Sequence, residues 1–232
     1  MIRKIESSTM GSSHLGWLNS IFHFSFAEYR NPKNINFGAL RVINDDLIAP
    51  HTGFDTHPHR DMEIISYVID GLLTHTDSMG NKSTLNRGEV QYMSAGTGVQ
   101  HSEYNRGDDQ LRLLQIWIFP DRNNHVPAYG EYRFPWDDRL NQWLHIVSKI
   151  GGRAPINIHQ DANLYVIQLS AGQKNEFTVG KGRQAYLVQI EGISEINGLT
   201  VNERDALESI ETNLNITAMD TSHLLVIELN ID

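Results

Sequence analysis

The chain contains no cysteine, no cluster of Lys and Arg, and no run of about 18 uncharged apolar residues. Each absence removes a class of protein. Without Cys there is no disulfide framework, zinc ribbon, iron–sulfur cluster or thiol nucleophile, so a transition metal has to be held by nitrogen and oxygen. Without a long apolar run no membrane partner is expected, and the N-terminal stretch MIRKIESSTMGSSHLGWL lacks the apolar centre of a signal peptide. The expected location is therefore cytoplasmic. Acidic residues outnumber basic ones by 28 to 19, a net charge of −9, which argues against direct nucleic-acid binding. What the chain has in quantity is histidine. There are 11 in 232 residues, and seven of them lie at or before position 101.

Apolar residues come in short runs punctuated by Gly, Asn and Asp, the pattern of an all-β protein. Strands are expected at 37–43, 62–69, 72–76, 90–93 and 111–119, and in a second series at 164–169, 185–190, 215–218 and 224–229, with a hairpin at 196–199. Tyr67-Val68-Ile69-Asp70-Gly71 resembles Val188-Gln189-Ile190-Glu191-Gly192. The repeat suggests two tandem β-barrel or jelly-roll domains packed together, with 1–125 as the first, 126–139 as a linker rich in Asn, Pro, Tyr and charge, and 140–232 as the second.

His57-Pro58-His59 places two imidazoles on one face of an extended segment, and His101-Ser102-Glu103 repeats the i, i+2 device. Facing each other inside a barrel, they would bring three imidazoles and a carboxylate to one ion with open coordination positions, a catalytic rather than a structural type of site. Glu63, four residues after His59, competes with Glu103 for the carboxylate place if the strand runs on regularly. Gly53, Gly71, Gly88 and the run Ser94-Ala95-Gly96-Thr97-Gly98 frame these segments and let backbone pass close to a buried centre. Packing or surface roles are expected for His14, His23, His51, His75 and His125. Phe54, Met93 and Trp117 are candidate walls of an apolar substrate slot. The alternating Phe22, Phe24 and Phe26 read as a half-buried strand instead. Thr178 and Gly180 stand where His57 and His59 would fall in the second half, so that half is expected to hold no metal.

The two histidine segments resemble the metal-binding motifs of the cupin superfamily. More narrowly, HPHRDMEIISYVIDG, MSAGTGVQHSEYN, LQIWI and GWLNSIFHFSFAEY look like the pirin family. That resemblance implies a bicupin whose second barrel is degenerate and covers the first. It implies His57, His59, His101 and Glu103 as ligands, which would leave Glu63 beside the site. The implied cofactor is one divalent transition metal, iron first, with copper, manganese, cobalt, nickel or zinc also compatible with the donors. The implied activity is a quercetin 2,3-dioxygenase, opening a flavonol with O2 and releasing CO, with Glu103 as general base. Two competing expectations are a non-enzymatic, metal-dependent transcriptional cofactor or redox sensor, and a cupin acting on another small ligand such as a sugar.

Overall fold

The structure, a computed structural model, describes residues 1–231. Its strands are β1 (Ile2–Ile5), β2 (Gly11–His14), β3 (Leu18–Phe22), β4 (Leu40–Ile48), β5 (Gly53–His59), β6 (Glu63–Asp70), β7 (Leu73–Asp77), β8 (Lys82–Leu85), β9 (Val90–Ser94), β10 (Val99–Asn105) and β11 (Leu111–Ile118). They continue as β12 (Ala128–Tyr132), β13 (Leu144–Lys149), β14 (Ile156–Ile158), β15 (Ala162–Leu169), β16 (Lys174–Phe177), β17 (Arg183–Glu191), β18 (Ser194–Ile196), β19 (Leu199–Val201), β20 (Ala206–Ile210), β21 (Leu214–Ala218) and β22 (Ser222–Asn230). Among the described residues the helical segments are two short 3-10 turns, Ser7–Thr9 and Trp136–Arg139. Among the described residues no helix is long and apolar enough to cross a membrane.

Two compact units result. One comprises 11–134 with 158–160, and the other 1–10, 135–157 and 161–232. The boundaries differ from the sequence expectation in two ways. Residues 1–10 belong with the second unit because β1 pairs with β20, Ile2 opposite Ser209. The expected linker is part structure, since β12 adds to the edge of β9 with Tyr132 opposite Val90. Its polar composition suits an edge strand, which is half exposed along its length.

The internal repeat is clearest in strand order. The first unit has a seven-stranded sheet, β12-β9-β6-β11-β4-β3-β2, and a four-stranded sheet, β5-β10-β7-β8. The second repeats both arrangements as β1-β20-β17-β22-β15-β13-β14 and β16-β21-β18-β19. Gly71 and Gly192 end matching strands, β6 and β17, at φ +80 and +76. A Cβ there would lie 2.6 Å from Gln110 O and 2.3 Å from Thr221 O, so only glycine closes each corner.

Packing differs between the units where chemistry is concerned. In the second, Phe177, Leu187, Ile196, Leu214, Ile216 and Val226 belong to one buried apolar core. In the first, smaller apolar clusters leave the barrel centre to polar groups. Leu18, Ile48, Val68, Leu73 and Leu113 form one, with Phe54 against it. Ile64, Met93 and Val99 form another, with Trp117 against it.

Candidate metal centre

β10 carries the centre by strand parity. Val99, His101, Glu103 and Asn105 are buried while Gln100, Ser102 and Tyr104 are not, so His101 and Glu103 point inward together. Antiparallel pairing sets His57 of β5 opposite His101 and His59 opposite Val99. A bulge between His101 and Glu103 shifts the register so that Glu103 faces Phe54. Gly53 permits this close approach: a Cβ on it would lie 2.3 Å from Glu103 O and 2.5 Å from Tyr104 Cα. Gly53→Ala should therefore push β5 off β10, at a cost of about 2–3 kcal/mol and a Tm lower by about 4–12 °C in a thermal melt.

The three imidazoles converge. Ring centroids of His57 and His101 are 4.5 Å apart, those of His59 and His101 4.9 Å, and those of His57 and His59 4.8 Å. One ligand nitrogen from each lies within 4.8 Å of the others, and His57 Nε2 is 3.1 Å from His101 Nε2. His57 Nδ1 sits 2.7 Å from the Asp55 carbonyl, which only accepts, so Nδ1 carries a proton and Nε2 is the nitrogen turned toward the cluster. Burial, reinforced by His101 and His57, holds His59 down to about 4. Burial, with His57 and His75 adding, holds His101 down to about 3. Both rings are thus neutral lone-pair donors at pH 7. His101 Nδ1 is buried without a hydrogen-bond partner. The donor set fits a divalent transition metal.

Glu103 is fixed from the facing sheet. Its Oε1 accepts from Ser66 Oγ at 2.9 Å and its Oε2 from Gln115 Nε2 at 2.6 Å, while Ser66 also donates to Gln115 Oε1 at 2.9 Å. Glu103 forms a second close group with His75 and His101, sharing His101 with the first. The sequence alone reads His75 as a packing or surface residue. It is buried, paired with Asp77 at 3.1 Å and stacked on Tyr129 at 4.9 Å. This unit also holds a cavity of about 320 Å³. It is lined by His57, His59 and Glu103, with Phe22, Phe26, Phe54, Gln115 and Trp117, and does not reach His75.

Several expectations change here. Glu63 does not join the cluster. Asp61 turns at φ +48 between β5 and β6, which lie in different sheets, so parity is lost between His59 and Glu63. The Glu63 carboxylate instead accepts from Ser94 Oγ at 2.6 Å and lies 3.4 Å from His159 Nδ1. Met93 is fully buried beside Ile64 and Val99 and lines no part of the cavity, whereas Phe54 and Trp117 do. Phe22 and Phe26, read from sequence as strand residues only, line the cavity too, with Phe26 edge-on to Trp117 at 5.5 Å. In the second unit, counting the ladders from Gly192 as from Gly71 places Phe177 and Leu214 at the positions of His57 and His101, one residue from the expected Thr178. Both are buried and apolar.

Two barrels of matching strand order, one with a histidine cluster and one with an apolar centre, define a bicupin. The chain belongs to the pirin family: the Pirin family model matches residues 4–118, and a model described as quercetinase C-terminal cupin domain matches 145–229. It is 39% identical to quercetin 2,3-dioxygenase of Escherichia coli K12, over 99% of both chains. It is 42% identical to a pirin-like protein of Caulobacter vibrioides, over 98% of this chain and 99% of the other. The crystal structure of YhhW from Escherichia coli superposes with a TM-score of 0.95 at 38% identity, covering 100% of this chain and 99% of that one. A crystal structure of YhhW in complex with nickel(II) gives 0.94 at 37%, covering all of both chains.

Proposed function

We propose that this chain is a metal-dependent dioxygenase that opens a flavonol with molecular oxygen and releases carbon monoxide. One observation carries the reading: a mostly apolar cavity opens directly onto two imidazoles of the histidine cluster and a buried carboxylate. The names of several relatives point the same way, and the nickel(II) complex of YhhW supports a divalent metal. His57, His59, His101 and Glu103 would hold the ion. A divalent transition metal held there would supply Lewis acidity toward the substrate hydroxyl and, if redox-active like iron, a path for electrons to oxygen.

The residues of the chain do the rest. Phe22, Phe26, Phe54 and Trp117 offer a slot for a planar aromatic body and exclude water from it. Glu103 stands at the cavity wall as the base that takes the proton of the flavonol 3-hydroxyl. Ser66 and Gln115 hold both its oxygens, fixing the carboxylate for that transfer. Overall the C2–C3 and C3–C4 bonds break, C3 leaves as CO with its own oxygen, and the two atoms of O2 end on C2 and C4 as ester and carboxylate oxygens. The test is oxygen uptake by metal-loaded protein with quercetin. Uptake matched one to one by CO supports the reading, and inertness at full metal loading contradicts it.

A further inference from the structure

The cavity beside the histidines has a polar wall that the proposed chemistry leaves unused. Leu15, Leu18, Phe22, Phe26, Phe54 and Trp117 make it apolar elsewhere, but Ser20, Asn44 and Asp46 also line it. These three come from adjacent strands. Ser20 of β3 lies opposite Asp46 of β4, and Asn44 lies opposite Gln115 of β11. Gln115 is committed to Glu103 and Ser66. Ser20 Oγ donates to Asp46 Oδ1 at 2.5 Å and so fixes that carboxyl. Asn44 is only 4% exposed, and its Oδ1 has no hydrogen-bond partner among the described residues.

A buried polar group without a partner costs about 1–3 kcal/mol, so an apolar side chain would be the more stable choice in this wall. A polar group on a ligand removes that cost. Strand geometry sets the reach: one strand over and two residues along puts Asp46 roughly 8 Å from the Gln115 position, about one ring away from the hydroxyl that Glu103 faces.

We propose that Asn44 and Asp46, with Ser20 orienting Asp46, form a subsite that hydrogen-bonds a phenolic hydroxyl remote from the reacting one, so that the site selects polyhydroxylated aromatics. The inference rests on the flavonol reading and adds a specificity to it. Burial pushes Asp46 up to about 7, against the opposing hydrogen bond from Ser20 and with Asp45 and Glu103 adding to the rise. Below that pH it offers a neutral carboxyl, which both donates to and accepts from a phenol.

The experiment is anaerobic equilibrium binding to nickel-loaded protein, followed by tryptophan fluorescence, with quercetin and with 3-hydroxyflavone, which carries the reacting hydroxyl alone. The wild-type chain should bind quercetin about 10-fold or more tightly than 3-hydroxyflavone. Asn44→Leu and Asp46→Leu should each weaken quercetin by about 5–10-fold and leave 3-hydroxyflavone unchanged or tighter. Equal affinities in the wild-type chain, or equal losses for both compounds in the variants, overturn the subsite while leaving the flavonol reading intact. If a variant does not fold, the wild-type preference decides alone. If the wild-type chain binds neither compound, the flavonol reading itself fails and takes the subsite with it.

Discussion

His101→Ala should leave a folded chain that binds divalent metal at least about 100-fold more weakly and opens no measurable flavonol. His101 has the largest expected effect because it belongs to both close groups, the histidine triplet and the set with His75 and Glu103. It is also the ring that pairs β5 to β10 at His57, and it is 1% exposed. Removing a neutral imidazole leaves no charge stranded, and its Nδ1 already lacks a partner, so the fold loses little beyond a small cavity. Metal content by elemental analysis, with far-UV circular dichroism as the check on folding, separates loss of the centre from loss of the barrel. A folded His101→Ala chain with full metal and full turnover would remove His101 from the site.

Glu103→Gln should retain part of its metal and lose about 100- to 10,000-fold in turnover. The amide keeps the shape but cannot take a proton, and its one oxygen can accept from only one of Ser66 Oγ and Gln115 Nε2, which now donate to the two carboxylate oxygens. Glu63→Gln is the control. Glu63 is bonded to Ser94 and the His159 backbone N–H and takes no part in the cavity, so its variant should stay within about 3-fold of the wild-type rate. Steady-state kinetics on the two metal-loaded variants distinguishes the carboxylates. The opposite order, with Glu63→Gln inactive and Glu103→Gln unaffected, would move the base to the other face of the sheet.

The parts of the site legible in the sequence are those that lie within one strand. His57 and His59, or His101 and Glu103, share a face because alternation holds inside β5 and inside β10. Glu63 fell outside that rule because a turn at Asp61 separates two strands of different sheets. Ser66, Gln115, Asn44 and Asp46 carry no local signal: Ser66 and Gln115 are polar residues in apolar runs, Asn44 and Asp46 belong to the polar stretch Asn44-Asp45-Asp46, and only the facing of the two sheets turns them toward the histidines. His75 is of the same kind, brought opposite Glu103 by the β7–β10 ladder. Met93 lies in a strand buried on both faces, where burial gives no parity to read. The repeat was legible through Gly71 and Gly192 because a positive φ at a crowded corner admits one residue type, while the strand order that completes the match is a property of pairing alone.

In the proposed reaction a metal held by the histidines of the first barrel drives flavonol opening. Its most direct test is to load metal-stripped protein stepwise with iron(II), measure metal by elemental analysis, and follow oxygen uptake and CO with quercetin at each step. Activity should rise in proportion to bound metal and level off at one ion per chain, with one CO released per O2 consumed. Protein carrying one ion per chain that consumes no oxygen and releases no CO would contradict it.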